Sequence, residues 1–151
     1  MQESRAMCVL SVVTGMRLSI ALAVLLAAAI AQAQDPFTST FERLAQTDRF
    51  AFGGTGIAGT ISQGERDYRS FLSRPSAMAD FERLLSTGNS QAKSYALVGI
   101  RSLNLKRFRE LSRSLRNSTE QVATQHGCIV SREQLKAITK GIEAGVYSNG
   151  E

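Results

Sequence analysis

Two residues of the sequence have the types needed for nucleophilic chemistry, and they lie two positions apart. His126 is the only histidine of the chain, and Cys128 is one of two cysteines. A histidine can activate a cysteine thiol only if the two side chains come within hydrogen-bond distance. On a strand, residues two apart share a face, but their Cβ atoms are too distant for an ordinary direct hydrogen bond. The spacing therefore favours a packed extended segment, and we name no catalytic residue.

The Cys128 thiol can also be considered apart from His126. It is the only cysteine left if the N-terminal leader described below is removed, so the mature chain cannot form an intramolecular disulfide. Ile129 and Val130 follow it directly, and free cysteine is among the most buried residue types. We expect a buried thiol. The alternatives are a thiol-dependent function and a disulfide-linked dimer through Cys128.

A glycine-rich segment spells the pattern G-x-G-x-x-G over residues 54–59. The dinucleotide-binding motif needs a strand before the glycines, a helix that starts at them and an acidic residue about 20 positions later. Here the next helix cap comes only at Ser62, and no β-α-β alternation follows. We therefore predict an irregular segment whose glycines take positive φ angles or allow close packing, with no cofactor. With one histidine and scattered carboxylates, we predict no metal site.

The strongest chemical bias lies between residues 101 and 116, where six basic residues accompany a single acid, Glu110. Four of the basic residues are spaced three, four and three apart and so form one stripe on a helix. These candidate binding residues are Lys106, Arg109, Arg113 and Arg116. The stripe is either a solvated face or a site for an anionic partner, which would be an anionic lipid, a cell-wall polymer or an acidic protein.

The segment that must position the stripe is an apolar run over 90–103 with small residues at Ala92, Ala96 and Gly99. We predict a central helix here, covered on several sides. Gly99 lowers helix stability by about 1 kcal/mol relative to alanine, so close packing is the expected compensation. One helix at 75–86 precedes this run and another begins near 105. Gly88 fits a left-handed helix stop, and Asn89 or Ser90 fits the next cap. Such short connections predict antiparallel neighbours.

Three capping-box patterns predict further helices. They begin at Ser39, Ser62 and Ser131, and Gly145 would end the last helix. Residues 121–130 alternate weakly and are compatible with an extended segment. About six helices follow, so we predict an all-α fold. Its arrangement is either a compact multi-helix bundle or a set of HEAT-like helix pairs, with glycine-rich irregular segments.

The N-terminus has the three parts of a secretory signal peptide. Met16 and Arg17 precede a 13-residue apolar stretch over 18–30, and Ala31-Gln32-Ala33 follows as an A-x-A cleavage site. The fit is best if translation starts at Met16. The alternative, an uncleaved anchor, would need about 20 apolar residues. We predict a signal peptide over 1–33 and a single helical domain over 34–151, in the periplasm or secreted. That domain carries 16 basic and 12 acidic residues, too small an excess for a dedicated nucleic-acid binder.

Three strings carry a resemblance to known proteins: KSYALVGIRSLN, KRFRELSRSLRNS and VATQHGCIV. Over about residues 50–146 the chain resembles small exported bacterial proteins of unassigned function. The resemblance implies a helical fold and no known activity. With no catalytic constellation visible, we predict a non-enzymatic exported binding protein that has no transmembrane segment after signal cleavage.

Overall fold

The computed structural model describes residues 36–147, so the predicted leader over 1–33 lies outside the described residues. Within this range the chain forms six α-helices, one 3-10 helix and four short strands. In chain order they are α1 (Pro36–Ala45), β1 (Gly54–Thr55), β2 (Thr60–Ile61), α2 (Gln63–Leu72), α3 (Ala77–Thr87), α4 (Ser90–Leu103), α5 (Leu105–Leu111), the 3-10 helix (Ser112–Leu115), β3 (Gln121–His126), β4 (Ile129–Gln134) and α6 (Leu135–Ala144).

Helix α4 is the centre of the core. Asn89 caps it, since its Oδ1 accepts a hydrogen bond from the backbone N–H of Ala92 at 2.9 Å. Ala92 and every residue from Ser94 to Ile100 are buried. Helices α2, α3, α5 and α6 and strand β3 all contact this helix. The prediction of a central helix covered on several sides is confirmed.

The two glycines of this region serve close packing. A Cβ built on Gly99 would lie 2.4–2.6 Å from three atoms of the Phe81 ring on α3, so Gly99 sets the approach of the two helices, as predicted. Gly88, in contrast, is extended, with φ −79° and ψ 162°, and the predicted left-handed stop is wrong. Its lack of a side chain matters because a Cβ there would lie 2.6 Å from the Cβ of Ala92.

Two antiparallel hairpins make the fold mixed α/β, and the prediction of an all-α bundle is wrong. Strands β3 and β4 pair over six residues, from Gln121↔Gln134 to His126↔Ile129. The reason is the inward alternation of Val122 and Thr124, both fully buried, together with a tight turn at Gly127. Gly127 has φ 56°, which suits the first position of a two-residue hairpin turn.

The glycine-rich segment forms the other hairpin and is fastened to β3. Strands β1 and β2 pair through Thr55↔Thr60. The backbone N–H of Phe50 donates to the carbonyl of Ala123 at 2.8 Å, and the N–H of Gly56 donates to the carbonyl of Gly127 at 2.9 Å. The predicted irregular segment is therefore an ordered hairpin that extends the small sheet region.

The predicted helix boundaries have mixed outcomes. Ser62 caps α2 by accepting from the N–H of Glu65 at 3.1 Å, and Gly145 ends α6 with φ 87°, both as predicted. Ser39 lies inside α1 instead of capping it. Ser131 lies in β4, because cross-strand hydrogen bonds satisfy the backbone that a helix would otherwise use. Among residues 36–147, every helix is too short or too polar to cross a lipid bilayer.

Candidate functional site

The basic helix α5 is held by a cap and by its buried inner face. Asn104 Oδ1 accepts a hydrogen bond from the backbone N–H of Arg107 at 3.0 Å. This cap starts α5 with only Asn104 between it and the end of α4. Phe108 and Ser112 are fully buried. After Leu111 the chain tightens from α-helix to 3-10 helix. Because the inner face is fixed against the core, the opposite face of this segment points to solvent.

The four predicted binding residues, Lys106, Arg109, Arg113 and Arg116, lie on that outer face and are all exposed. We call them the basic stripe. Arg116 Nη2 lies 3.0 Å from Glu143 Oε1 on α6. Within the described part of the chain, Lys106, Arg109 and Arg113 form no ion pair or hydrogen bond through their side chains. Three of the four charges therefore have no counter-charge among residues 36–147.

The other cation of α5 is neutralised. The Arg107 guanidinium donates to both carboxylate oxygens of Glu82 on α3, at 2.6 and 3.0 Å, and lies 3.4 Å from Glu110. The hydrogen bond from Arg107 holds the pKa of Glu82 below its usual value. The acids near α5 are thus used on the side facing α3. On α5 itself, Lys106 and Arg109 are the cations without a counter-charge among residues 36–147.

Positive charge continues from the basic stripe onto the end of α6. Lys140 is exposed and lies one turn before Glu143, on the same helix face. Arg101 Nη2 donates to the main-chain carbonyl of Glu143 at 3.4 Å. A cation at this position also stabilises the negative end of the α6 dipole. Among the described contacts of this junction, Glu143 is the only carboxylate, and its side chain pairs with Arg116 alone.

This arrangement can bind anionic oxygens but offers no acid-base machinery. Guanidinium groups bind phosphate or carboxylate through paired N–H donors, and lysine adds a mobile point charge. Among residues 36–147, no three histidine, cysteine, aspartate or glutamate side chains come together as a group that could hold a metal ion.

Cys128 and His126 lie at the end of the β3–β4 hairpin. Cys128 is exposed, so the expectation of a buried thiol is wrong. It occupies the two-residue turn between His126 and Ile129. The His126 ring stacks on Tyr147 with 6.3 Å between ring centroids. The structure records no hydrogen bond between His126 and Cys128 in the described hairpin, so it does not bring them together as a catalytic pair.

The G-x-G-x-x-G pattern has a structural use. It forms the β1–β2 hairpin, and α2 starts only at Gln63, after the motif. At the base of this hairpin, the Tyr95 hydroxyl accepts from the N–H of Ala51 at 3.0 Å and donates to its carbonyl at 2.9 Å. Burial raises the pKa of Tyr95, against the opposing effect of its hydrogen bonds to Ser62 and Ala51. The glycines therefore lack the helix start that the dinucleotide-binding motif needs.

A hydroxyl–carboxylate cluster across the β3–β4 hairpin was missed from the sequence. Buried Thr124 donates to Glu133 Oε1 at 2.8 Å, so its oxygen accepts from Ser131 Oγ at 2.8 Å. Burial, with a further contribution from Glu133, raises the pKa of the nearby Tyr147 hydroxyl. The cluster stabilises the pairing of the strands. Only the alternation of Val122 and Thr124 before Gly127 could have indicated it.

A polar cleft of about 250 Å³ beside the glycine-rich segment was also missed. Its polar side chains are engaged within the protein. Arg49 Nη1 donates to Gln125 Oε1 at 3.2 Å, and Gln63 Nε2 donates to Asp67 Oδ1 at 2.9 Å. On the basic stripe, in contrast, the side-chain donors of Lys106, Arg109 and Arg113 bind nothing else among residues 36–147.

Comparison of the chain with models of protein families, with curated proteins and with solved structures finds no match. The resemblance to small exported bacterial proteins stays a prediction.

Proposed function

We propose that this is an exported, non-enzymatic protein that binds an anionic partner through the basic stripe. The observation that carries the proposal is that Lys106, Arg109 and Arg113 have no counter-charge in the part of the chain that the structure describes, while Arg107 beside them is paired twice. Like charges one turn apart destabilise a helix by a few tenths of a kcal/mol each. A partner carrying phosphate or carboxylate groups would remove that repulsion.

The expected binding is electrostatic and sensitive to salt. Exposed charges are largely screened beyond about 8 Å at physiological ionic strength, so only groups in direct contact with the stripe contribute strongly. Arg109 and Arg113 lie at the middle of the stripe. Replacing both by glutamate removes two attractive charges and adds two repulsive ones.

Co-sedimentation tests the proposal. We expect the wild-type protein to be retained on vesicles containing anionic phospholipid or on acidic cell-wall material, and R109E/R113E to lose at least about tenfold in affinity. The matched control is R66E/R132E, which changes the net charge equally at two exposed positions on other elements. A wild-type protein retained on neither material, or equal loss in both double variants, would overturn the proposal.

Export is the second part of the proposal, and the three-part leader over residues 1–33 supports it. Expression of the full chain in a bacterium should give a periplasmic or secreted product. Its N-terminus, measured by mass spectrometry, should be Gln34. A full-length product that stays in the cytoplasmic fraction contradicts export without affecting the basic stripe.

The exposure of Cys128 favours a second candidate function, a disulfide-linked dimer. Two Cys128 thiols from two copies would form one S–S bond. Their two protons and two electrons would pass to a protein disulfide, which is reduced to two thiols. Non-reducing electrophoresis of the exported protein, with C128S as control, should then show a dimer band only for the wild type. A monomer band alone rules this candidate out.

A further inference from the structure

Two leucines protrude at the corner between helices α4 and α5. Leu103 ends α4 and Leu105 begins α5, with only Asn104 between them. Their exposed fractions are 43% and 42%. The cap at Asn104 fixes the corner, because its side chain binds the N–H of Arg107 at 3.0 Å. Both apolar side chains are therefore held at the surface by the local backbone.

This apolar corner is continuous with the basic stripe. Leu105 precedes Lys106 directly and lies four residues before Arg109, so Leu105 and Arg109 are neighbours on the surface of α5. Arg109 has no counter-charge within residues 36–147. An apolar side chain and an unpaired cation thus share one edge of the helix.

Exposed apolar residues elsewhere on the described part of the chain have fewer exposed cations near them. Ile57 is fully exposed at the end of the β1–β2 hairpin. No basic residue occurs between positions 50 and 65. Ile129 and Val130 on β4 are exposed too and have one exposed cation near them, Arg132, whereas the leucine corner adjoins two, Lys106 and Arg109, that have no counter-charge among residues 36–147.

We propose that the anionic partner is a phospholipid membrane surface, with Leu103 and Leu105 inserted among the acyl chains and the basic stripe on the headgroup phosphates. The inference rests on the proposed function and names its partner. A surface that combines cationic and apolar side chains binds at a bilayer interface, where anionic lipid attracts each nearby lysine or arginine. A soluble polyanion would engage the charges alone and leave the leucines in water.

The test compares two probes: vesicles containing phosphatidylglycerol, and inorganic polyphosphate, which has no apolar phase. Serine at both leucine positions, L103S/L105S, should weaken vesicle binding about 10-fold to 100-fold, from roughly 3-fold to 10-fold for each half-exposed leucine. Binding of polyphosphate should not change. The control I57S, which removes a more exposed apolar side chain elsewhere, should bind vesicles like the wild type.

The outcomes separate the two proposals. If R109E/R113E binds both probes as the wild type does, the proposed function itself fails. If L103S/L105S binds vesicles normally, or if the wild type binds polyphosphate and not vesicles, insertion is wrong and anion binding by the stripe stands. In that case the partner is a polymer or a protein.

A second readout does not depend on the stability of the serine variants. An environment-sensitive fluorophore is attached at L105C in a chain whose other cysteines, Cys8 and Cys128, are serine. Its emission should shift to shorter wavelength with phosphatidylglycerol vesicles and not with neutral phosphatidylcholine vesicles. An unchanged spectrum with both overturns the insertion of the leucine corner.

Discussion

Substitution of Gly99 by alanine measures how tightly the core is built. The new Cβ would lie 2.4–2.6 Å from three atoms of the Phe81 ring, which is fully buried. Overpacking of this kind costs about 1–3 kcal/mol, and the gain in helix propensity is about 1 kcal/mol. Since the ring must move by about 1 Å to reach an ordinary contact distance, we take the upper end of the range for the cost of overpacking. The expected net loss is about 2 kcal/mol.

Thermal and urea denaturation followed by circular dichroism would measure this loss. For a domain of this size, about 2 kcal/mol corresponds to a midpoint about 8 °C lower. The matched control is G141A on α6, where an added Cβ approaches one Tyr147 atom at 3.0 Å. It should stay within about 1 kcal/mol of the wild type. The double variant G99A/F81L should lose less than the two single losses combined. If G99A were as stable as G141A, the close contact between Gly99 on α4 and the Phe81 ring on α3 would be refuted.

Three further predictions concern stability. Y95F should lower the free energy of unfolding by about 1–3 kcal/mol because a buried backbone donor loses its partner. Because the pKa of Tyr95 is raised in the folded protein, its contribution to stability is present below pH about 10 and is lost as pH rises through the folded-state pKa. Urea titrations at pH 8 and 10.5 should therefore show that Y95F loses less stability at high pH than the wild type. An equal loss would contradict the burial of this hydroxyl. E82Q should lose less stability in acid than the wild type. The lowered pKa of Glu82 beside Arg107 gives the wild type stability that is present above pH 4.5 and is lost as pH falls through the folded value. If the stability of the variant and of the wild type falls equally with pH in urea titrations, this ion pair does not contribute. N89A should lower the free energy of unfolding by about 1–2 kcal/mol, because it removes the helix cap and the hydrogen bond to the Thr47 carbonyl. N89S should lose less, because serine still caps the helix. Equal losses in urea denaturation would argue against the cap.

The central helices could be predicted because their signals are local. The spacing of Ala92, Ala96 and Gly99 showed a helix with close neighbours, and Asn89 showed where it begins. The exposure of Arg109 and Arg113 also followed from spacing alone, since Phe108, which directly precedes Arg109, had to face the core. These features depend on residues within one or two helical turns.

The hairpins could not be predicted with equal ease because they depend on pairing. Ser131 begins a pattern that is typical of a helix start, and only the cross-strand bond to Thr124 makes it part of a strand. Cys128 stands beside two apolar residues that suggested burial. Its exposure follows from the turn at Gly127, which a weak alternation did not reveal.

The bonds from α4 to the segment before β1 have a consequence for the order of folding. Tyr95 joins Ala51 across 44 residues, and Gln91 joins Asp48 across 43. Helices α3, α4 and α5 are separated by connections of one or two residues. Contacts between near neighbours close quickly, whereas distant ones must first overcome the entropy of a long loop. The three helices should therefore assemble early and the glycine-rich hairpin dock late, so weakening its anchor should accelerate unfolding and leave the folding rate nearly unchanged.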